Sequence, residues 1–202
     1  LYKDKAWFGG ASPSGLSNYQ IITEGGLKFL FLHLSVDPRK AELTWAQEVL
    51  DQLKDAAVHL ATHRYMYDYR LVKTLPMPLN KLLGGRFDAL AQAMGQTPYF
   101  SDSLSCEQLW KTFIYPNTNI FMVQCGHVDA ELRQVSKNAA GLPVHELLVD
   151  FQESEAAGGN GWLRLMKLNL TQGTIGVETY SPSLKKFRKN GDNVQNAFAI
   201  FN

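Results

Sequence analysis

The chain has 202 residues, 45% hydrophobic and 11% aromatic, with 20 Lys and Arg against 19 Asp and Glu for a formal net charge of +1. A chain of this size buries roughly 70% of the surface exposed by its unfolded form, so a packed, soluble domain is expected. Balanced charge without like-charge blocks excludes an electrostatic scaffold for nucleic acid, and the longest apolar run, residues 27–34, is broken by Lys28 and His33 and is too short for a membrane span.

The sequence opens at Leu1 without Met or a signal-type segment, which reads as the cut end of a longer protein. Residues 27–34, Leu-Lys-Phe-Leu-Phe-Leu-His-Leu, predict a strand buried on both faces. After Pro38, apolar residues at Leu43, Ala46, Val49, Leu50 and Leu53 recur at helical spacing, and residues 56–61 form a second apolar run. Strand, helix, strand is a crossover unit, which implies a parallel pair and an α/β layer. Loops follow at Pro76, Pro78, Gly84 and Gly85, then a short helix over residues 87–94 and a second helix capped by Ser105 that carries Leu109, Trp110 and Phe113 on one side. Residues 119–124 read as a third strand. Residues 146–151, 162–170 and 174–180 read as an antiparallel meander, with Gly158-Gly159-Asn160-Gly161 as a hairpin connection. The basic residues Lys185, Lys186, Arg188 and Lys189 read as a solvated turn, and Cys106 and Cys125 as buried thiols, being too few for a disulfide framework.

Two histidines follow predicted strands directly, His63 after residues 58–62 and His127 after residues 121–126. Ligands in open α/β sheets bind beyond the carboxyl ends of strands, so two strands of one sheet would bring both imidazoles to a shared rim. Asp129 lies two residues beyond His127, a spacing that points both side chains the same way in an extended segment, with Gly126 supplying a sharp turn before them. Imidazole with carboxylate suits manganese, iron or zinc. Tyr67 and Arg70, just after His63, are candidates for lining a substrate pocket; Arg70 is a candidate to pair a phosphate there, and equally a residue of a helical or loop surface. His33 and His59 read as packed core residues, and His145 opens the meander beside Pro143.

Thr62-His63 after a strand and, further along, Cys125-Gly126-His127-Val128-Asp129 resemble the last two conserved blocks of calcineurin-like metallophosphoesterases, a strand-end histidine and Gly-His-x-His. Trp7-Phe8-Gly9-Gly10, Ser17-Asn18-Tyr19, Thr44-Trp45, residues 158–164 and Thr179-Tyr180-Ser181-Pro182 extend the resemblance over nearly the whole chain. It implies an α/β layered sandwich in which residues 1–202 form the C-terminal half of a single domain: a mixed sheet with helices and a C-terminal antiparallel meander. It also implies metal-dependent hydrolysis of phosphomonoesters or phosphodiesters by a hydroxide activated by two divalent ions, Mn, Fe or Zn. His63 and His127 would be ligands of one ion, and Asp129 would stand where the family has a histidine ligand to the other. The family's opening blocks, Asp-x-His, Gly-Asp-x-x-Asp and Gly-Asn-His, do not occur here, so the general acid and remaining ligands are expected upstream of Leu1. The missing half, or self-association, would cover the strand edge and apolar faces exposed without it. The alternative is a catalytically degenerate phosphoesterase-like binding or regulatory module, which Asp129 favours. Location stays open, although exported proteins are among the relatives with this β-rich end.

Overall fold

A computed structural model describes residues 2–68, 84–86, 99–152, 156–188 and 197–199. The nearly continuous apolar run becomes β3 (Leu27–His33), with Leu30 and Leu32 fully buried on one face and Phe29 nearly so on the other. The chain then climbs through α1 (Lys40–Gln52), whose Leu43, Ala46, Val49 and Leu50 are buried, and returns as β4 (Ala57–Ala61) parallel to β3. β7 (Ile120–Cys125) pairs parallel to β4, and β9 (Pro143–Val149) parallel to β7. Antiparallel strands complete the sheet, β1 (Phe8–Ala11) and β2 (Asn18–Glu24) beside β3, and β8 (Glu131–Lys137) beside β9. The result is a seven-stranded mixed sheet in the order β1-β2-β3-β4-β7-β9-β8.

One face of this sheet packs on α1 and on α2 (Cys106–Leu109), which Ser105 caps by accepting from Gln108 N at 3.2 Å and which runs on as a π-helical turn over Trp110–Ile114. The opposite face meets a second, antiparallel sheet: Phe29, Phe121, Met122 and Leu147 pack against Ile175 and Val177 of β11 (Thr174–Ser181). β10 (Leu163–Asn169) pairs on one side of β11, and β12 (Lys186–Phe187) and β13 (Ala197–Ala199) on the other. A two-stranded ribbon, β5 (Met66–Asp68) and β6 (Gly84–Arg86), pairs with neither sheet but packs against β8 and β9 of the larger one. No helix among the described residues is long and apolar enough to cross a membrane.

The mixed α/β reading and its three parallel strands agree with the sequence. The meander needs correction, because its first segment belongs to the large sheet as β9, five of whose seven residues are buried. Such a strand is covered on both faces, as a parallel strand is, whereas β10 has alternating exposure. Residues 158–161 therefore connect two sheets instead of closing a hairpin, and a short helix, α3 (Ala156–Gly159), leads into them. A Cβ on Gly159 would lie 2.2 Å from the Phe151 carbonyl oxygen, so only glycine fits this crossing. The helix expected over 87–94 lies outside the described residues. Cys106 and Cys125 are buried free thiols, as expected.

Buried charge pins the helical layer to the sheet. Glu146, fully buried on β9, accepts from Tyr65 Oη at 2.6 Å, Ser136 Oγ at 2.6 Å and Arg86 Nε and Nη2 at 2.8 Å each, while the Arg86 guanidinium lies 3.8 Å from the Trp110 ring centroid. Burial, reinforced by the Glu146 carboxylate, pushes the Tyr65 phenol well above its ordinary pKa. Breaking one partner of a buried pair leaves the other charge stranded. Glu146→Gln is therefore expected to cost about 3 kcal/mol, read from urea unfolding.

His59, on β4 against Phe31 at 5.5 Å, keeps part of its surface exposed yet is closely surrounded. Burial first, then repulsion from His33, lowers its pKa from 6.5 to about 4. Between those values the unfolded chain binds more protons, so this contribution is complete above pH 6.5 and declines as the pH falls towards 4. Acidification across that window should cost up to about 3 kcal/mol through this residue. The check is the denaturant midpoint at pH 7.5 and 4.5, where His59→Gln should show a flatter difference than the parent.

Candidate functional site

Because β4 and β7 are neighbouring parallel strands, with Ala61 opposite Gln124, their carboxyl ends emerge side by side. Two hydrogen bonds continue the join past the strands, Thr62 N to Gln124 O at 3.0 Å and Gly126 N to His63 O at 3.0 Å, and Thr62 Oγ1 donates to Ser35 O at 2.8 Å in the loop after β3. His63 and His127 are thereby brought together as the sequence led one to expect. His127 Nδ1 lies 3.2 Å from His63 Nε2, and the rings meet edge to face with centroids 5.0 Å apart. Behind them the Arg64 guanidinium is paired with Asp37, both side chains 4% exposed, and Asp37 Oδ2 also accepts from Tyr99 N at 2.8 Å. This buried brace holds the loop that carries His63.

The turn is made differently from the expectation. Gly126 has no left-handed conformation, whereas His127 itself sits at φ +75°. Residues 127–129 bend, so the extended geometry that would align Asp129 with His127 is absent. Asp129 does not line the cleft that holds the two imidazoles, and its Oδ1 is buried with no hydrogen-bond partner among the described residues. Tyr67 is half-buried against the helix-side core, away from the lining of that cleft, and Arg70 lies outside the described residues. His33, expected in the core, is half-buried at the end of β3 with Nε2 3.1 Å from Gln20 Oε1; His145 is buried within β9.

The cleft, about 440 Å³, has the histidines and Asp150 on one side and Trp162, Leu163 and Arg164 on the other. Burial, then the charges of His63 and Arg64, lowers the His127 pKa, against the opposing pull of Asp37 and Asp150. Asp150 was missed by the sequence reading, although it follows β9 as His63 and His127 follow β4 and β7. Trp162, Arg164 and Arg188 were missed too. Arg188 does not belong to a solvated turn: its guanidinium lies 4.8 Å from the Phe151 ring centroid and 3.7 Å from Glu131 Oε1.

Two nitrogens bound about 2.1 Å from one ion at a near-tetrahedral angle lie about 3.4 Å apart, so the 3.2 Å spacing suits two ligands of one cation. The orphaned Asp129 Oδ1 lies off the lining of that cleft and is not gathered with the two imidazoles. Among the described residues, however, no group of three or more His, Cys, Asp or Glu is gathered closely enough to hold a metal ion. A left-handed conformation costs a residue other than glycine about 1–2 kcal/mol, and such strain persists where function selects it. His127→Gly is expected to raise stability by about 0.5–1 kcal/mol in thermal unfolding, part of the relief being lost to the greater freedom of glycine in the unfolded chain.

No protein-family model matches the chain. It is similar to the uncharacterized protein YvnB of Bacillus subtilis (strain 168), 24% identical over 190 residues, a match that covers 91% of this chain and spans 12% of the length of that protein.

Proposed function

We propose that this chain is the C-terminal part of a calcineurin-like metallophosphoesterase domain that hydrolyses phosphomonoesters or phosphodiesters with two divalent ions, Mn, Fe or Zn. The observation that carries the reading is the His63–His127 pair, with imidazole nitrogens 3.2 Å apart at the carboxyl ends of adjacent parallel strands and open to a cleft. His63 and His127 would hold one ion, and Asp129, whose buried Oδ1 has no partner among the described residues, would contribute to the other. Remaining donors and the general acid come from outside these residues. Bound divalent ions supply positive charge that lowers the pKa of water and neutralises a phosphate. The residues of this chain orient and bind. The Asp37–Arg64 brace and the Gly126–His63 hydrogen bond fix the imidazoles, lowered basicity favours the neutral, ligating form of His127, and the cleft admits the ester.

A second reading, a degenerate binding module, is favoured by the gathering of only two imidazoles and by Asp129 in place of a histidine. Metal content and turnover separate the two. In a protein extended upstream of Leu1, two ions per chain and metal-stimulated hydrolysis of an aryl phosphate, a diester or a nucleotide are expected, whereas the 202-residue chain alone should bind fewer than two ions and show no turnover. His63→Ala and His127→Ala should each weaken metal binding at least about a hundredfold. At most one ion without hydrolysis would select the degenerate module, and full activity in both variants would sink the metal reading.

A further inference from the structure

Across the cleft from the histidines lies a group of buried donors that outnumber the acceptors near them; they surround Glu131, whose own Oε1 is buried with no hydrogen-bond partner among the described residues. Arg164, whose side chain is 4% exposed, is paired with Glu131 Oε2, and Arg188 Nε approaches Glu131 Oε1 at 3.7 Å. Two guanidinium groups on one carboxylate leave a net positive charge, to which Lys186, with Nζ 5.8 Å from the Trp162 ring centroid, adds. Arg164 Nε, Arg188 Nη1 and Trp162 Nε1 are all buried, with no hydrogen-bond partner among the described residues. Buried donors are nearly always satisfied, so three exceptions converging from Trp162 just before β10, Arg164 within it and Arg188 just after β12 call for an acceptor. Phe151, beneath Arg188 at 4.8 Å and Arg164 at 6.0 Å, provides an apolar floor that strengthens electrostatic attraction above it. Among the described residues, Asp150 is the one carboxylate lining the cleft; it acts on His127 and accepts from Gln152 N at 2.9 Å.

We propose that Trp162, Arg164 and Arg188 form an oxyanion subsite, and that the substrate of the cleft carries a second anionic group, phosphate or carboxylate, besides the phosphoester presented to His63 and His127. Guanidinium forks suit either group, and the indole N–H adds a third direction of approach. Arg164 and Trp162 line the cleft, Arg188 packs behind them on Phe151 and Trp162, and binding as proposed requires the shielded donors to turn towards the cleft. The substrate clause rests on the phosphoesterase reading; the subsite itself needs no metal.

The test is binding of inorganic phosphate, and separately of acetate, to the 202-residue chain in metal-stripped buffer, followed by calorimetry. Saturable binding of at least one anion is expected, and the tighter of the two identifies the group. Trp162→Phe should weaken it about tenfold while leaving the melting temperature unchanged, since no hydrogen bond within the fold is lost. Arg188→Gln should weaken it by a similar factor, and the His63→Ala, His127→Ala double variant should bind as the parent does. Absence of saturable binding, indifference to Trp162→Phe and Arg188→Gln, or loss of binding in the histidine variant would each overturn the subsite. Binding as expected in a protein whose extended form shows no metal-dependent hydrolysis would uphold the subsite and overturn only the substrate clause.

Discussion

The parallel pairing of β4 with β7 is the constraint on which the rest of the site depends. Parallel strands cannot be joined by a tight turn, so each must be reached by a crossover, and that requirement leaves their carboxyl ends free of connecting hairpins. The loops that leave those ends start from a common edge and are held there by backbone hydrogen bonds between residues 62 and 124 and between 126 and 63. A histidine in each loop then meets its counterpart, with the buried Asp37–Arg64 pair holding the first of these loops in place. Asp150 arrives in the same place by the same logic, one strand further along, after β9.

Buried carboxylates sit at the joins between elements. Glu42, in the first turn of α1, accepts from Ser17 Oγ at 2.6 Å and Ser35 Oγ at 2.8 Å and so ties the β1–β2 connection and the end of β3 to the helix start. Glu146 does the same for β9, β8 and the β5–β6 ribbon, and Asp37 for the loops after β3 and β4. Paired burial of this kind adds little net stability, but a misplaced partner is costly, so it favours one arrangement over its neighbours. Glu131 differs from the others, since it faces two arginines and leaves their outer donors unmet.

The helix–strand alternation and the two strand-end histidines were legible because burial writes a period into the sequence. Leu43, Ala46, Val49 and Leu50 mark the inward face of a helix, and the apolar run Phe29-Leu30-Phe31-Leu32 before His33 marks a strand covered twice. The parts not legible depend on partners distant along the chain. Nothing local distinguishes 143–149 as a member of the large sheet, since its neighbours, β7 and β8, are chosen by packing. The glycine of Gly126-His127 drew attention to the wrong residue: the left-handed backbone belongs to the histidine. Arg188 looked like part of a charged surface run because composition does not reveal that Phe151, Trp162 and Glu131 stand opposite it.

Cys125 ends β7, immediately before the turn that carries His127, and burial pushes its thiol up to about 12. The native thiol is therefore both protonated and shielded, unreactive towards alkylating reagents until the strand end opens. That makes it a reporter built into the backbone of the site. Its rate of chemical labelling under native conditions measures how often the edge bearing the two imidazoles breathes, independently of global unfolding. Anything that ties the two loops together from outside, whether an ion, an anion or an adjoining segment of protein, would be registered as slower labelling of a residue it never touches.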